Sequence, residues 1–318
     1  MKCRSCRGPA VIDLPAHNAN FCAEHLVRFC RDQVAKAIKR FGMLEPGDRV
    51  LVAVSGGKDS LMLWDVLREL GYEADGFIIG LGIGDYSASS TATAAAFAHE
   101  RGWPLEIVDL AETFGYDVPS AATQTRRPAC SACGLSKRHL FDRAALRGGY
   151  DAVATGHNLD DEAAVLFGNS LRWNTAYLAR QRPVLPSRPG FPRKVKPLVR
   201  LGERETAAYC VVRGIEYVVD ECPMAAGNKH LVYKEALAAV ERESPGTKFA
   251  FYHEFQANAV DAFDAGSDED ALIPLTTCGS CGSPTENDIC AFCALVRRVG
   301  GPVPVDPPRR RSRHEASA

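Results

Sequence analysis

Between residues 49 and 70 the chain reads RVLVAVSGGKDSLMLWDVLREL, and this stretch limits the fold more than any other feature. RVLVAVS is a run of β-branched and aliphatic residues, the pattern of a strand buried on both faces. The SGGKDS turn follows directly. Leu63, Val66, Leu67 and Leu70 then recur at helical spacing, and Gly71 closes the helix. A buried strand joined to a helix by a tight glycine turn belongs to a parallel α/β sheet. The alternation continues with strands expected over 76–82, 104–110, 151–156 and 215–220. Helices are expected over 26–42, 89–102, 136–149, 160–172, 204–214 and 250–264. In such a sheet, ligands bind beyond the carboxyl ends of the strands.

The turn itself suits a phosphate. Gly56 and Gly57 let the backbone approach an anion, the helix N-terminus adds partial positive charge, Lys58 brings a cation, and Ser55 and Ser60 bring hydroxyls. It is not a Walker A loop. Val52 stands where the first glycine belongs, and Asp59 stands where Ser or Thr should follow the lysine. A second glycine-bearing turn, GHNLDDEAA at 156–164, also follows a strand. Gly156 lets the chain pass a ligand, and Asp160, Asp161 and Glu162 open the next helix. Acids there can simply cap a helix, or they can hold Mg²⁺ or orient a substrate. We assign the capping role to Asp160 and the functional one to Asp161. His157 is assigned to shaping its loop.

Ten of the twelve cysteines fall into three groups. Cys3, Cys6, Cys22 and His25 form CxxC…CxxH. Cys278, Cys281, Cys290 and Cys293 form CxxC-x8-CxxC. Both spacings are those of closed, structural zinc sites, and each segment is too short to fold without a metal. Cys130 and Cys133 form a third CxxC, with Cys222 far downstream. Taken alone, this trio is open to several readings: a redox pair, part of a zinc site, two cysteines exchanging a persulfide, or ligands of an iron–sulfur cluster. Cys30 and Cys210 read as small core residues.

With a net charge of −1, any nucleic-acid contact must come from local patches. Residues 173–200 hold seven Lys/Arg and no acid, and Arg126, Arg127, Lys137 and Arg138 cluster about the CxxC. A charge run is commonly a solvated face, but the lack of acids favours contact with RNA phosphates. Hydrophobic residues at 46% and charged residues at 24% exclude a chain disordered throughout. No run of about 18 apolar residues suggests a membrane span, and the first residues carry no signal-peptide pattern, so a cytoplasmic protein is expected.

Taken in order, SGGKDS, PACSACGLSKR (128–138), GHNLDDEAAVLFGNSLRW (156–173), the lone Cys222 and a cysteine finger at each end resemble the TtuA/Ctu-type tRNA 2-thiouridine synthetase family of the PP-loop ATP pyrophosphatase superfamily. The resemblance covers nearly the whole chain. It implies a Rossmann-like parallel sheet flanked by two zinc fingers. It divides the chain into an N-terminal finger (1–28), a PP-loop ATP-binding catalytic domain (29–225), a helical extension and linker (226–270), a C-terminal finger (271–298) and a disordered tail (299–318). ATP would be held by Ala53, Ser55, Gly56, Gly57, Lys58, Asp59, Ser60, Gly156 and Asp161. It would adenylate the C2 carbonyl of a tRNA uridine, and sulfur would then displace AMP. Cys130, Cys133 and Cys222 fall on the family's [4Fe–4S] ligands, with one iron left open for sulfide. Lys137 and Asp161 fall on residues the family uses in catalysis. The resemblance further implies Mg²⁺, Zn²⁺ at two sites, a ubiquitin-like thiocarboxylate sulfur carrier and a homodimer. The competing readings are a cluster-free persulfide thiolase, a noncatalytic zinc-finger RNA-binding module, and a PP-loop ligase acting on a small molecule.

Overall fold

The computed structural model describes residues 1–225, 227–264 and 275–302. The chain opens with a hairpin, β1 (Ile12–Leu14) and β2 (Ala19–Phe21), followed by α1 (Ala23–Phe41), which Gly42 ends as expected. The central unit then runs β3 (Arg49–Val54), α2 (Lys58–Glu69), β4 (Glu73–Gly80), α3 (Gly84–Arg101), β5 (Leu105–Asp109), α4 (Leu110–Phe114), α5 (Val118–Thr125), α6 (Ala129–Gly148), β6 (Ala152–Thr155) and α7 (Leu159–Leu171). It continues through α8 (Thr175–Ala179), β7 (Val184–Leu185), β8 (Arg193–Val195) and α9 (Glu203–Arg213). Three helices extend it: α10 (Lys229–Glu243), α11 (Thr247–Asn258) and α12 (Val260–Asp264). A last short hairpin, β9 (Thr276–Thr277) and β10 (Pro284–Thr285), precedes α13 (Ala291–Arg298). The expected acidic linker beyond residue 264 and the expected tail beyond residue 302 lie outside the described residues.

Six strands form the main sheet in the order β5-β4-β3-β6-β8-β7, all parallel except β7 at the edge. Strand alternation decides what each face buries. Val50, Val52, Val54, Ala152 and Ala154 point into one core, shared with α1, α2 and α9. Leu51, Phe77, Ile79 and Val153 point into the other, shared with α6 and α13. The two cysteine modules are divided between these faces. Cys3, Leu14 and Phe21 belong to the first core, while Cys278, Cys281, Cys290 and Cys293 belong to the second. The chain therefore forms an α/β fold with one cysteine module on each side of its sheet.

Two expectations are corrected. Residues 215–220 are not a strand. The place beside β6 is filled by β8, from a Pro-rich segment that reads as irregular. Residues 215–220 instead cross the phosphate loop, with Val218 N–H donating to Gly56 O at 3.0 Å while Val219 stays 80% exposed. Cys222 thus ends a crossing loop and does not follow a strand. The second correction concerns α6, which begins at Ala129 and not at Ser136. Ser136 looks like a cap, but its buried hydroxyl bonds back to Ala132 O at 2.9 Å and pairs with Tyr116 OH at 2.8 Å. Cys130 and Cys133 therefore lie within the helix.

Candidate active site

The sheet reverses direction of growth at β3, with β4 added on one side and β6 on the other. The carboxyl ends of β3 and β6 thus form the switch-point crevice typical of such sheets. A cavity of about 290 Å³ opens there, lined by Ala53, Ser55, Asp59 and Ser60 from the first turn, by Gly156 and His157 from the second, and by Lys137 and Tyr86.

The first turn is tightly built. Ser60 Oγ accepts from Ser55 N at 3.0 Å and donates to Gly57 O at 3.0 Å, and Ser55 Oγ lies 3.1 Å from Ser60 Oγ. Gly56 adopts φ +74°, and a Cβ there would stand 2.5 Å from Ser90 O, so the loop leaves no space for a side chain on that side. Lys58 Nζ lies 2.9 Å from Asp59 Oδ2. Burial works against the Lys58 ammonium, but Asp59 and Glu203 hold it charged. Asp59 Oδ1 also accepts from Asn158 Nδ2 at 3.1 Å and from Thr206 Oγ1 at 2.6 Å, so one carboxylate ties together the starts of α2, α7 and α9. Gly56, Gly57 and Lys58 form the turn's outer part and are not among the cavity's lining residues.

In the second turn the capping assignment changes. The cap of α7 is Asn158, which accepts from Asp161 N at 3.1 Å, and Asp161 Oδ2 reciprocally accepts from Asn158 N at 3.1 Å. This is a capping box, with Asp161 at the position where a longer acid is commoner. Asp160 instead accepts from Glu203 N at 2.8 Å, so it caps α9 across the crevice, and it also contacts Lys248. Asp161 faces Lys234 of α10, with Oδ1 to Nζ at 2.5 Å. Burial raises the Asp161 carboxyl, but Lys234 outweighs it and holds the group below the usual carboxylate range. His157 Nδ1 lies 2.8 Å from Thr155 Oγ1, in keeping with a loop-shaping role.

Cys130, Cys133 and Lys137 follow one another at i, i+3 and i+7 on α6, hence on one face. Burial pushes the Cys133 thiol up, and the Lys137 ammonium beside it pulls it down, with Cys222 and Cys130 the next charges in range. The exposed Cys130 thiol lies 3.6 Å from Met224 O, in the turn that follows Cys222. Because Lys137 both neighbours Cys133 and lines the cavity, it joins the thiol trio to the phosphate turn.

The two terminal groups each bring four ligand atoms within 4.8 Å of one another: Cys3, Cys6, Cys22 and His25, and Cys278, Cys281, Cys290 and Cys293. Thiols on one tetrahedral zinc, at about 2.3 Å from the ion, stand about 3.8 Å apart. The Cys6–Cys22 and Cys281–Cys290 sulfurs are 3.8 Å and 3.6 Å apart, so both groups have the dimensions of a single-ion site. The C-terminal module also grips the cysteine helix. Arg143 of α6 donates to Cys281 O at 2.5 Å, and the His139 ring stacks on Phe292 at 4.1 Å.

The basic run contributes less free charge than its sequence suggests. Arg182, Arg193, Lys194 and Lys196 pair with Asp261, Asp48, Asp142 and Glu162 at 2.8, 3.8, 2.7 and 2.8 Å. Four of the seven cations are thus matched by acids distant in the chain. Sequence reasoning also missed Tyr86 and Lys234. Tyr86 lines the cavity, and burial and then the nearby Cys222 thiol push its phenol up. Its segment reads as a loop ahead of a helix expected at 89, so no local pattern singles it out.

Comparison with known proteins agrees with this layout. Residues 2–27 match the N-terminal LIM domain of 2-thiouridine synthetase TtuA, and residues 30–226 match the PP-loop domain. The chain is 49% identical to the tRNA-5-methyluridine(54) 2-sulfurtransferase of Thermus thermophilus, over 93% of this chain and 91% of that one. It is 42% identical to the Pyrococcus horikoshii protein of the same name, over 92% and 93%. Among solved structures, the U34-tRNA thiolase NcsA from Methanococcus maripaludis, described with its [4Fe–4S] cluster, superposes with a TM-score of 0.77 at 24% identity, covering 97% of this chain and 99% of that one.

Proposed function

The chain belongs to the PP-loop family of tRNA 2-thiouridine sulfurtransferases, and we propose that it acts as an ATP-dependent enzyme replacing the C2 oxygen of a tRNA 5-methyluridine, at position 54, with sulfur. The observation that carries this reading is Lys137, which lines the cavity at the phosphate-binding turn and also stands beside the Cys133 thiol. The 49% and 42% identical relatives carry position 54 in their names, and this favours that uridine over the wobble base.

The uridine O2 attacks the α-phosphorus of ATP, pyrophosphate leaves, and sulfur then displaces AMP from C2. Gly56, Gly57 and the N-terminus of α2 offer backbone N–H groups to the phosphates, and Lys58 neutralises them. Asp161, held ionised, is the carboxylate for Mg²⁺ or for orienting the uridine. Lys137 keeps positive charge beside the sulfur chemistry. Cys130, Cys133 and Cys222 would hold the [4Fe–4S] cluster, and their donor set fits it: three thiols and a cation against Cys133. Held by these three thiolates, the group would supply iron chemistry for handling the incoming sulfur. The terminal groups are structural Zn²⁺ sites, closed by four protein atoms each. The sulfur comes from a ubiquitin-like thiocarboxylate carrier, and the enzyme works as a cytoplasmic homodimer. Among the described residues, no helix is long and apolar enough to cross a membrane.

Lys58→Ala tests the reading. It should keep the fold and both metals of the terminal modules while losing tRNA-dependent AMP formation. Near-normal AMP release by this variant would overturn the assignment of the loop.

A further inference from the structure

We propose that Lys234 is a second phosphate-binding lysine of the ATP site, set opposite Lys58 to meet the pyrophosphate as it leaves. This rests on the sulfurtransferase reading above. Lys234 projects from α10, a helix outside the sheet, yet its ammonium reaches the helix starts that follow β6 and β8. There it lies 2.5 Å from Asp161 Oδ1 and 2.6 Å from Glu203 Oε1. Asp161 is the third residue of α7 and Glu203 the first of α9, so both acids sit where helices begin beyond the carboxyl edge of the sheet. The lysine side chain is only 21% exposed. Lys58 holds the facing side, paired with Asp59, and its electrostatic neighbours include both Glu203 and Lys234.

Two ammonium groups therefore stand in one cluster with three carboxylates. A lysine serving only to fasten α10 to α7 could be placed anywhere along their contact. This one is placed within electrostatic range of Lys58, and each ammonium is held charged by its own acids, Asp59 for Lys58 and Asp161 with Glu203 for Lys234. A polyphosphate between them would accept charge-assisted hydrogen bonds from both ammonium groups. When O2 of the uridine bonds to the α-phosphorus, the bond from phosphorus to the α,β-bridging oxygen breaks, and its electron pair stays on the pyrophosphate. The added charge develops in the transition state, where a fixed cation acts most strongly. No reactant beyond ATP and tRNA is needed.

The test uses the full-length protein, reconstituted anaerobically and supplied with ATP, tRNA and sulfide, with Lys234→Gln and Lys234→Arg. Removing one transition-state donor should lower the rate of tRNA-dependent AMP formation roughly a hundredfold in Lys234→Gln, with the KM for tRNA unchanged. Inorganic pyrophosphate, measured by calorimetry, should bind that variant at least about tenfold more weakly, the equivalent of one charge-assisted bond. Lys234→Arg should recover most of both. In the wild type, pyrophosphate should shield Lys234 as well as Lys58 from amine acylation, read by peptide mass spectrometry. That arm is independent of whether a variant folds. A lower melting temperature with unchanged pyrophosphate affinity, or Lys234 left unshielded while Lys58 is shielded, overturns the proposal. A wild type that releases no AMP with tRNA and sulfide both present overturns the sulfurtransferase reading instead.

Discussion

Gly156 is one point at which the two halves of the site touch, and Gly156→Ala is the substitution that probes it. An added Cβ would stand 2.9 Å from Ser60 N, 3.0 Å from Asp59 C and 3.1 Å from Ser60 Cα, all backbone atoms in the first turn of α2. Ordinary contact begins at 3.4 Å, so the turns must separate by about 0.5 Å, the difference between 3.4 and 2.9. The α2 side cannot give easily, because Ser60 through Leu67 are buried. Overpacking of this kind costs about 1–3 kcal/mol of stability. The functional cost should be larger. The same opening stretches the 3.1 Å bond from Asn158 to Asp59, which aligns the second turn on the first. A misplacement of about 1 Å can cost on the order of a hundredfold in rate, so half of that predicts roughly tenfold. TRNA-dependent AMP release and thermal unfolding should be measured on the same preparation. A roughly tenfold loss of rate with a melting temperature lower by only a few degrees fits a site that straddles these turns. A variant with wild-type rate and wild-type stability would refute the idea that Gly156 is a contact between them.

Other consequences can be checked separately. Cys281→Ser should lose one zinc per chain and open residues 275–302 to protease, because metal binding supplies the folding energy of so small a module. Unchanged zinc content would contradict this. Cys133→Ala should abolish anaerobic iron binding and thiolation together. If it kept full activity while Cys130→Ala and Cys222→Ala were dead, a two-cysteine persulfide route would replace the cluster. His253 gives a pH signature. Burial, with Arg200 and Arg40 nearby, lowers it to about 4 from 6.5, and it is neutral against Val199 O at 3.2 Å. The unfolded chain takes up a proton below 6.5 that the folded chain refuses until about 4, so the stabilisation is complete above 6.5 and is lost as pH falls toward 4. At about 1.4 kcal/mol per pH unit, that is at most about 3 kcal/mol. The melting temperature of the wild type should fall more steeply over this range than that of His253→Gln, and parallel curves would remove His253 from the account.

The sequence makes the first turn legible because everything that builds it is local. A β-branched strand, two glycines and an apolar helix stripe lie within 22 residues, and the hydroxyl bonds of Ser55 and Ser60 close inside that span. The terminal cysteine groups are legible for the same reason, since each gathers its ligands from a short segment. Long-range pairings were misread or missed. Residues 215–220 have strand composition, but β8 had already taken the place beside β6, and nothing local records that competition. Ser136 resembles a helix start because its partner Tyr116 is twenty residues away in the chain. Lys234 looks like one more charge on an amphipathic helix, and only the packing of α10 on α7 brings it to Asp161. The basic run misleads in the opposite sense, since the acids that neutralise it lie far off in sequence.

The account stands most directly on the product. Transfer RNA carrying 5-methyluridine should be incubated anaerobically with the reconstituted protein, ATP and sulfide, then digested and its nucleosides analysed by mass spectrometry. The account predicts 5-methyl-2-thiouridine, formed only with ATP, mapping to position 54 and absent with Lys58→Ala. ATP consumption with unmodified tRNA, or sulfur at the wobble uridine and not at position 54, would contradict it.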